Sequence, residues 1–212
     1  TLAHELGHAW HSWLLRDAPL AQRDYPKTLA ETASLFAETL VRDALLARAQ
    51  TREQRLTIAW MDGERVASLL LDIPSRFHFE RALVAGRAEG YLGAGQLRAM
   101  MKSAKQQWYG DSLSQYDELF WASKGHFSIA DLGFYNYPYL FGYLFSLGLY
   151  AQKARVGADF VPAYRALLAD TGRMSAESLV EKHLGVDIRE PAFWQESLHQ
   201  VEEAVERLER LV

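Results

Sequence analysis

Residues 4–8 read His4-Glu5-Leu6-Gly7-His8. On an α-helix, positions i and i+4 differ by about 40° of rotation and one turn of rise, so both imidazoles face one point. Two neutral ring nitrogens held this way suit a zinc ion, which takes histidine nitrogens at about 2.0–2.1 Å. Glu5 is too close along the helix to join them at a strain-free distance. Its carboxylate is placed instead to take a proton from a water on the open metal position as that water attacks a carbonyl. The pentapeptide alone is a loose signal, because such a histidine pair also arises by chance as ordinary packing or surface residues.

A catalytic zinc needs three protein ligands and one open position. The chain has no cysteine, so the third ligand must be His, Asp or Glu. Leu14 stands where the metzincin pattern has its third histidine. The acidic residues that follow are Asp17, Asp24, Glu31, Glu38 and Asp43. Asp17 and Asp24 fall in an expected turn, where nothing fixes their aim. Glu31 is expected one or two turns inside a second helix, flanked by Ala30 and Ala33; antiparallel packing would set it opposite the histidine pair. Glu31 is therefore the expected third ligand. Glu38, seven residues on, shares that face and is expected to orient a ligating imidazole. His11 lies on the face of His4 and His8, where packing or support suits it better than ligation, since a fourth ligand would close the site.

The elements that must position these residues are helical almost throughout, with few strand signals. Thr1 caps a first helix to about Arg16, ended by Asp17-Ala18-Pro19. Tyr25-Pro26 opens a second, with Leu29, Ala33, Phe36, Leu40 and Ala44 along one face. A third runs from Arg52 to Leu71, with Gly63 as a weak point, until Pro74 stops it. Further helices are expected at about 75–89, 95–108, 113–123, 137–155, 158–169, 175–184 and 191–211. His78 reads as a helix-packing residue, and His183 and His199 as surface residues. The expected architecture is all-α, one multi-helix domain over residues 1–212, irregular around 123–136.

A net charge of −4 and a pI near 6.0 offer no basic field for nucleic acid or anionic lipid. No uncharged apolar run reaches about 18 residues, so no membrane span is expected. The longest apolar stretch, Phe134 to Tyr150, is rich in Tyr and Gly and reads as a buried helix. The chain has no initiator Met and opens three residues before its most informative motif, with neither a basic nor an apolar leader pattern, so no signal peptide is expected. A C-terminal fragment of a longer protein is expected.

Three segments carry a family resemblance. Thr1-Leu-Ala-His-Glu-Leu-Gly-His-Ala-Trp-His11 resembles the active-site helix of the M3 zinc peptidases. Ala30-Glu31-Thr-Ala-Ser-Leu-Phe-Ala-Glu38 is similar to the family segment whose first Glu is the third zinc ligand. Phe134-Tyr-Asn-Tyr-Pro-Tyr-Leu-Phe-Gly-Tyr-Leu-Phe-Ser-Leu-Gly148 resembles a Tyr-rich helix start of the oligoendopeptidase F branch. The resemblance implies a zincin-type helical catalytic domain with one zinc ion per chain, held by His4, His8 and Glu31, and Glu5 as general base. It implies that His126 and Tyr143 face the scissile carbonyl and stabilise the oxyanion, with Tyr135 and Tyr139 as neighbours that bind substrate. It further implies short peptide substrates, a cytoplasmic location, and a missing N-terminal half of the same protein as the other channel wall. The 212 residues alone are then expected to have little or no peptidase activity. The competing reading is a non-catalytic helical module with an empty or closed metal site, its tyrosines serving as an aromatic core.

Overall fold

The computed structural model describes residues 1–129, 131 and 133–212, and every regular element among them is helical. The chain is all-α, as its periodicity predicts. Its α-helices are α1 (Leu2–Leu14), α2 (Lys27–Ala30), α3 (Thr32–Arg48), α4 (Arg52–Ala67), α5 (Ile73–Glu89) and α6 (Ala94–Tyr109). They continue with α7 (Phe120–Ser123), α8 (Tyr137–Val156), α9 (Phe160–Ala169), α10 (Ala176–Leu184) and α11 (Pro191–Glu209). The helices form two compact units, the first made of Thr1–Gly63 with Phe141–Val212 and the second of Glu64–Leu140. No helix among the described residues is long and apolar enough to cross a membrane.

The first unit is built on an aromatic and aliphatic core. Phe36 of α3 stacks on Tyr164 of α9 at 4.3 Å between ring centroids and on Phe160 at 5.8 Å. Phe145 and Leu149 of α8 and Phe193 of α11 are buried in the same cluster. Each such side chain contributes about 1.5–3 kcal/mol on leaving water, enough to hold helices that would not persist alone. The apolar residues of α8 run all round it, as expected of a buried helix.

The second unit packs α5 against α6 around Phe79, Met101 and Ala104. Beside that core lies an ionic group. Asp72 accepts from Arg76 and from Lys105, the latter at 3.0 Å, and both cations lie over the Phe120 ring, at 4.7 and 4.6 Å. The buried Lys105 is thus neutralised by a carboxylate and by the ring's negative face.

Several boundaries differ from the sequence expectations. The second helix is broken at Glu31, which joins α2 to α3 with φ −90° and ψ 3° and so lies between helices, not within one. Pro74 does not end a helix. The chain passes from α4 through a π-helical turn, Ser68–Asp72, and Pro74 falls in the first turn of α5, the part of a helix that best tolerates a residue without an N–H. The expected helix at 113–123 shrinks to Phe120–Ser123. Polar side chains before it bond the backbone instead: Ser112 Oγ donates to Tyr109 O at 2.6 Å, Asp117 Oδ1 accepts from Leu119 N at 3.1 Å, and the Tyr116 hydroxyl bonds Gly110 O. α1 ends at Leu14, two residues early, while α4 runs through Gly63 unbroken.

Candidate metal centre

α1 presents His4 and His8 one turn apart, with their rings edge to face and centroids 4.7 Å apart. Their Nε2 atoms are separated by 3.1 Å. Glu31 Oε2 lies 3.4 Å from His4 Nε2 and 3.5 Å from His8 Nε2. A tetrahedral ion about 2.0–2.1 Å from each ligand would set its ligands about 3.3–3.4 Å apart. The three atoms form a triangle of that size, two nitrogens and one carboxylate oxygen, so the donor set fits zinc. Side-chain exposures of 27% for His4, 32% for His8 and 19% for Glu31 leave one side of the triangle open to water. Glu5, one residue along α1, is exposed.

Local sequence explains the aim of Glu31. Its φ and ψ place it in the bridge region between helices, and the Ser34 hydroxyl lies 2.8 Å from its Oε2 and 3.1 Å from its backbone carbonyl. Ser34 is buried, so this donor is not lost to water. Two glycines allow the close packing around it. A Cβ on Gly7 would stand 2.5 Å from both Ala33 O and Ser34 Cα, so α1 meets the first turn of α3 backbone to backbone. A Cβ on Gly142 of α8 would stand 3.0 Å from Glu31 Cβ. Glu38 Oε1 lies 3.5 Å from His4 Nδ1, on the side of the ring away from the triangle. A carboxylate there favours the tautomer that leaves Nε2 free to ligate.

His11 does not join the triangle. It is fully buried, stacks on Tyr25 at 4.3 Å, and its Nε2 lies 2.9 Å from Thr171 Oγ1. The Thr171 hydroxyl donates to Leu168 O at 2.8 Å, so His11 Nε2–H is the donor to Thr171 Oγ1. Burial pushes its pKa down to about 4, with His8 adding to the fall and a hydrogen bond to the Leu168 backbone opposing it. Burial, together with the charges of Glu31 and Asp24, raises the Tyr25 hydroxyl.

The late-segment residues fall in two places. Tyr143 belongs to the first unit, buried on α8 next to Gly142. His126, Tyr135 and Tyr139 form one group in the second unit. His126 sits in a short 3-10 turn, Gly125–Phe127, with its ring centroid 6.0 Å from that of Tyr135, and the Tyr139 hydroxyl donates to the Tyr135 hydroxyl at 3.1 Å. Burial first, then the charges of Arg76 and Lys124, lower the His126 pKa, which favours its neutral form. Of the other histidines, His78 packs between α5 and α6 against Trp108 at 5.5 Å. His199 is exposed, but His183 is not a surface residue: its side chain is largely buried and its Nε2 lies 2.9 Å from Asp170 Oδ2. Sequence reasoning gave no role to Ser34 or Glu80. Ser34, three residues after a candidate ligand, was discoverable from its spacing; Glu80 acts across 54 residues and left no local signal.

The family profile of peptidase family M3 matches residues 1–199. The chromosomal oligoendopeptidase F of Lactococcus lactis subsp. cremoris is 31% identical over 150 residues, covering 68% of this chain and 23% of that protein. Oligopeptidase PepF of Bacillus subtilis (strain 168) is 27% identical over 216 residues, covering 100% of this chain and 32% of that protein. The crystal structure of oligoendopeptidase-F from Enterococcus faecium shares the fold, with a TM-score of 0.79 at 20% identity over 99% of this chain and 38% of that one. The chain thus spans about a quarter to a third of the length of these curated relatives.

Proposed function

The chain belongs to peptidase family M3, and on that footing we propose that it carries the zinc site and helical catalytic core of an oligoendopeptidase F-type endopeptidase. The observation that carries this reading is the His4–His8–Glu31 triangle, with separations of 3.1, 3.4 and 3.5 Å. These three residues would hold one zinc ion per chain. When bound, zinc supplies a Lewis acid that polarises the substrate carbonyl and makes water acidic enough to attack near neutral pH. Glu5 takes the proton of the attacking water as the new C–O bond forms, then gives it to the leaving nitrogen as the C–N bond breaks. Glu38 and Ser34 keep His4 and Glu31 aimed. His126 and Tyr143 are the proposed donors to the oxyanion, neutral groups that stabilise developing charge without adding a net charge of their own. Tyr135 and Tyr139 are proposed to bind the peptide.

The substrates are proposed to be short peptides, and the proposed setting is the cytoplasm. The rest of the protein is the proposed partner of this chain. In support, α1 leaves Leu2, Leu6 and Trp13 exposed, an apolar face suited to cover by a further part of the same protein. Substrate orientation by that part would supply much of the rate, so the 212 residues alone are proposed to bind zinc with little turnover.

Metal analysis of the purified chain beside Glu31→Gln tests the site. The expected result is one zinc per chain, with affinity falling by more than about tenfold in the variant as one of three ligands is lost. No zinc in the unaltered chain after add-back would remove the proposed site and leave a non-catalytic helical module as the better reading.

A further inference from the structure

Phe134, between His126 and α8, has a φ of +55°, the one positive value among the described non-glycine residues. For a bulky aromatic residue this conformation costs about 1–3 kcal/mol and persists only where its surroundings impose it. Those surroundings can be named. The Phe134 N–H donates to Oε1 of Glu80 on α5 at 2.6 Å, and Glu80 is only 5% exposed. Two residues on, the buried Asn136 accepts from Arg76 at 3.3 Å, one turn before Glu80 on the same helix. Tyr135 is therefore held between two anchored neighbours, with its ring beside that of His126 and its hydroxyl accepting a hydrogen bond from that of Tyr139.

A glycine at position 134 would adopt this φ without strain, and a neutral side chain could accept its N–H. The chain uses a strained aromatic residue and a buried carboxylate instead, beside the His126 group. We infer that Glu80 is a positioning residue: through the Phe134 N–H it fixes the turn that sets Tyr135 against His126, and so aims the His126–Tyr135–Tyr139 group. The use of that group in peptide hydrolysis rests on the proposed function, whereas the turn itself can be tested without it.

Three substitutions separate the possibilities. Glu80→Met removes the acceptor at similar length, Glu80→Gln keeps one, and Phe134→Gly removes the strain. In this chain, the His126 ring resonances are followed by two-dimensional NMR, with circular dichroism to report the helices. Glu80→Met is expected to keep its helices but move the His126 signals toward those of a free histidine. Glu80→Gln should leave them near their original place, and Phe134→Gly in the Glu80→Met background should bring them back. Unmoved signals in a folded Glu80→Met chain overturn the inference, and a shift that Phe134→Gly does not reverse overturns the route through Phe134. If Glu80→Met does not fold, amide exchange of Phe134 in the unaltered chain decides. Protection of about 100-fold over a free amide supports the bond to Glu80, and exchange at the free rate overturns it.

In the whole protein with zinc, Glu80→Met should lower kcat about tenfold with KM within about twofold, and Phe134→Gly should restore most of the loss. His126→Ala with unchanged kcat would overturn the proposed use of His126, while the NMR result would still judge Glu80.

Discussion

Ser34 links the backbone turn to the metal triangle, because its one hydroxyl lies within reach of both the carbonyl and the carboxylate of Glu31. The carboxylate oxygen it reaches is the one nearest both histidine nitrogens, so the hydroxyl fixes which oxygen faces the site. Ser34→Ala should leave the fold intact and weaken zinc binding by about 10–100-fold, the usual effect of losing a group that orients a ligand; competition with a calibrated chelator measures it. His11 has a different consequence. With an ordinary pKa of 6.5 when unfolded and about 4 when folded, it binds a proton more readily in the unfolded chain. Its contribution to stability is therefore fully present above pH 6.5 and is lost as pH falls from there to about 4. The loss is on the order of 3 kcal/mol. Urea unfolding at pH 6.5 and pH 5, above most carboxylate titrations, should show the chain weakening more than a His11→Gln variant; equal slopes would mean that His11 is not buried neutral.

At the scale of the helices, α1 and α3 meet through Gly7. Replacing a mid-helix glycine with alanine ordinarily stabilises by about 1 kcal/mol. Here the new methyl would stand 2.5 Å from backbone atoms of Ala33 and Ser34, which cannot swing aside as the end of a side chain can. Overpacking of this kind costs about 1–3 kcal/mol, so it outweighs the gain in helix propensity. Gly7→Ala should lower stability in denaturant and weaken zinc binding as α1 moves off α3, whereas a stabilised variant would contradict the packing. The same element scale separates what the residue pattern revealed from what it hid. α6, α8 and α11 lie within about two residues of their expected ranges, because apolar spacing and flanking Gly or Pro agree there. The break at Glu31 was hidden, since Ala30 and Thr32 carry no helix-breaking signal and the turn is stabilised by the later Ser34. The loss of residues 113–119 from the helix expected at 113–123 was hidden too, because competition from Ser112, Tyr116 and Asp117 depends on which backbone groups they reach in three dimensions. The pairing of His4 with His8 was readable because helix geometry converts a four-residue spacing into proximity. The Glu80–Phe134 bond was not, because it joins residues far apart in the chain.

Across the whole chain, the candidate ligands all come from the first unit: His4 and His8 from α1, and Glu31 from the α2–α3 junction. A metal that binds the folded arrangement and not the unfolded chain stabilises it by mass action, about 2.7 kcal/mol at a free concentration 100 times its dissociation constant. That energy enters through the contact between α1 and α3, because the ion can be held by all three ligands only while those helices stay together. Local openings that separate them must release the ion and become rarer by the same factor. Zinc should therefore raise the unfolding midpoint of the chain and slow amide exchange in α1 and in the first turns of α3, with both effects reversed by a chelator. Glu31→Gln should lose most of this response while keeping its metal-free stability close to that of the unaltered chain, since the substitution preserves shape and a hydrogen-bond acceptor for Ser34. A zinc response of equal size in Glu31→Gln would mean that the ion is held elsewhere. No response in the unaltered chain, under conditions where metal analysis finds zinc bound, would mean that the ion does not bridge α1 and α3.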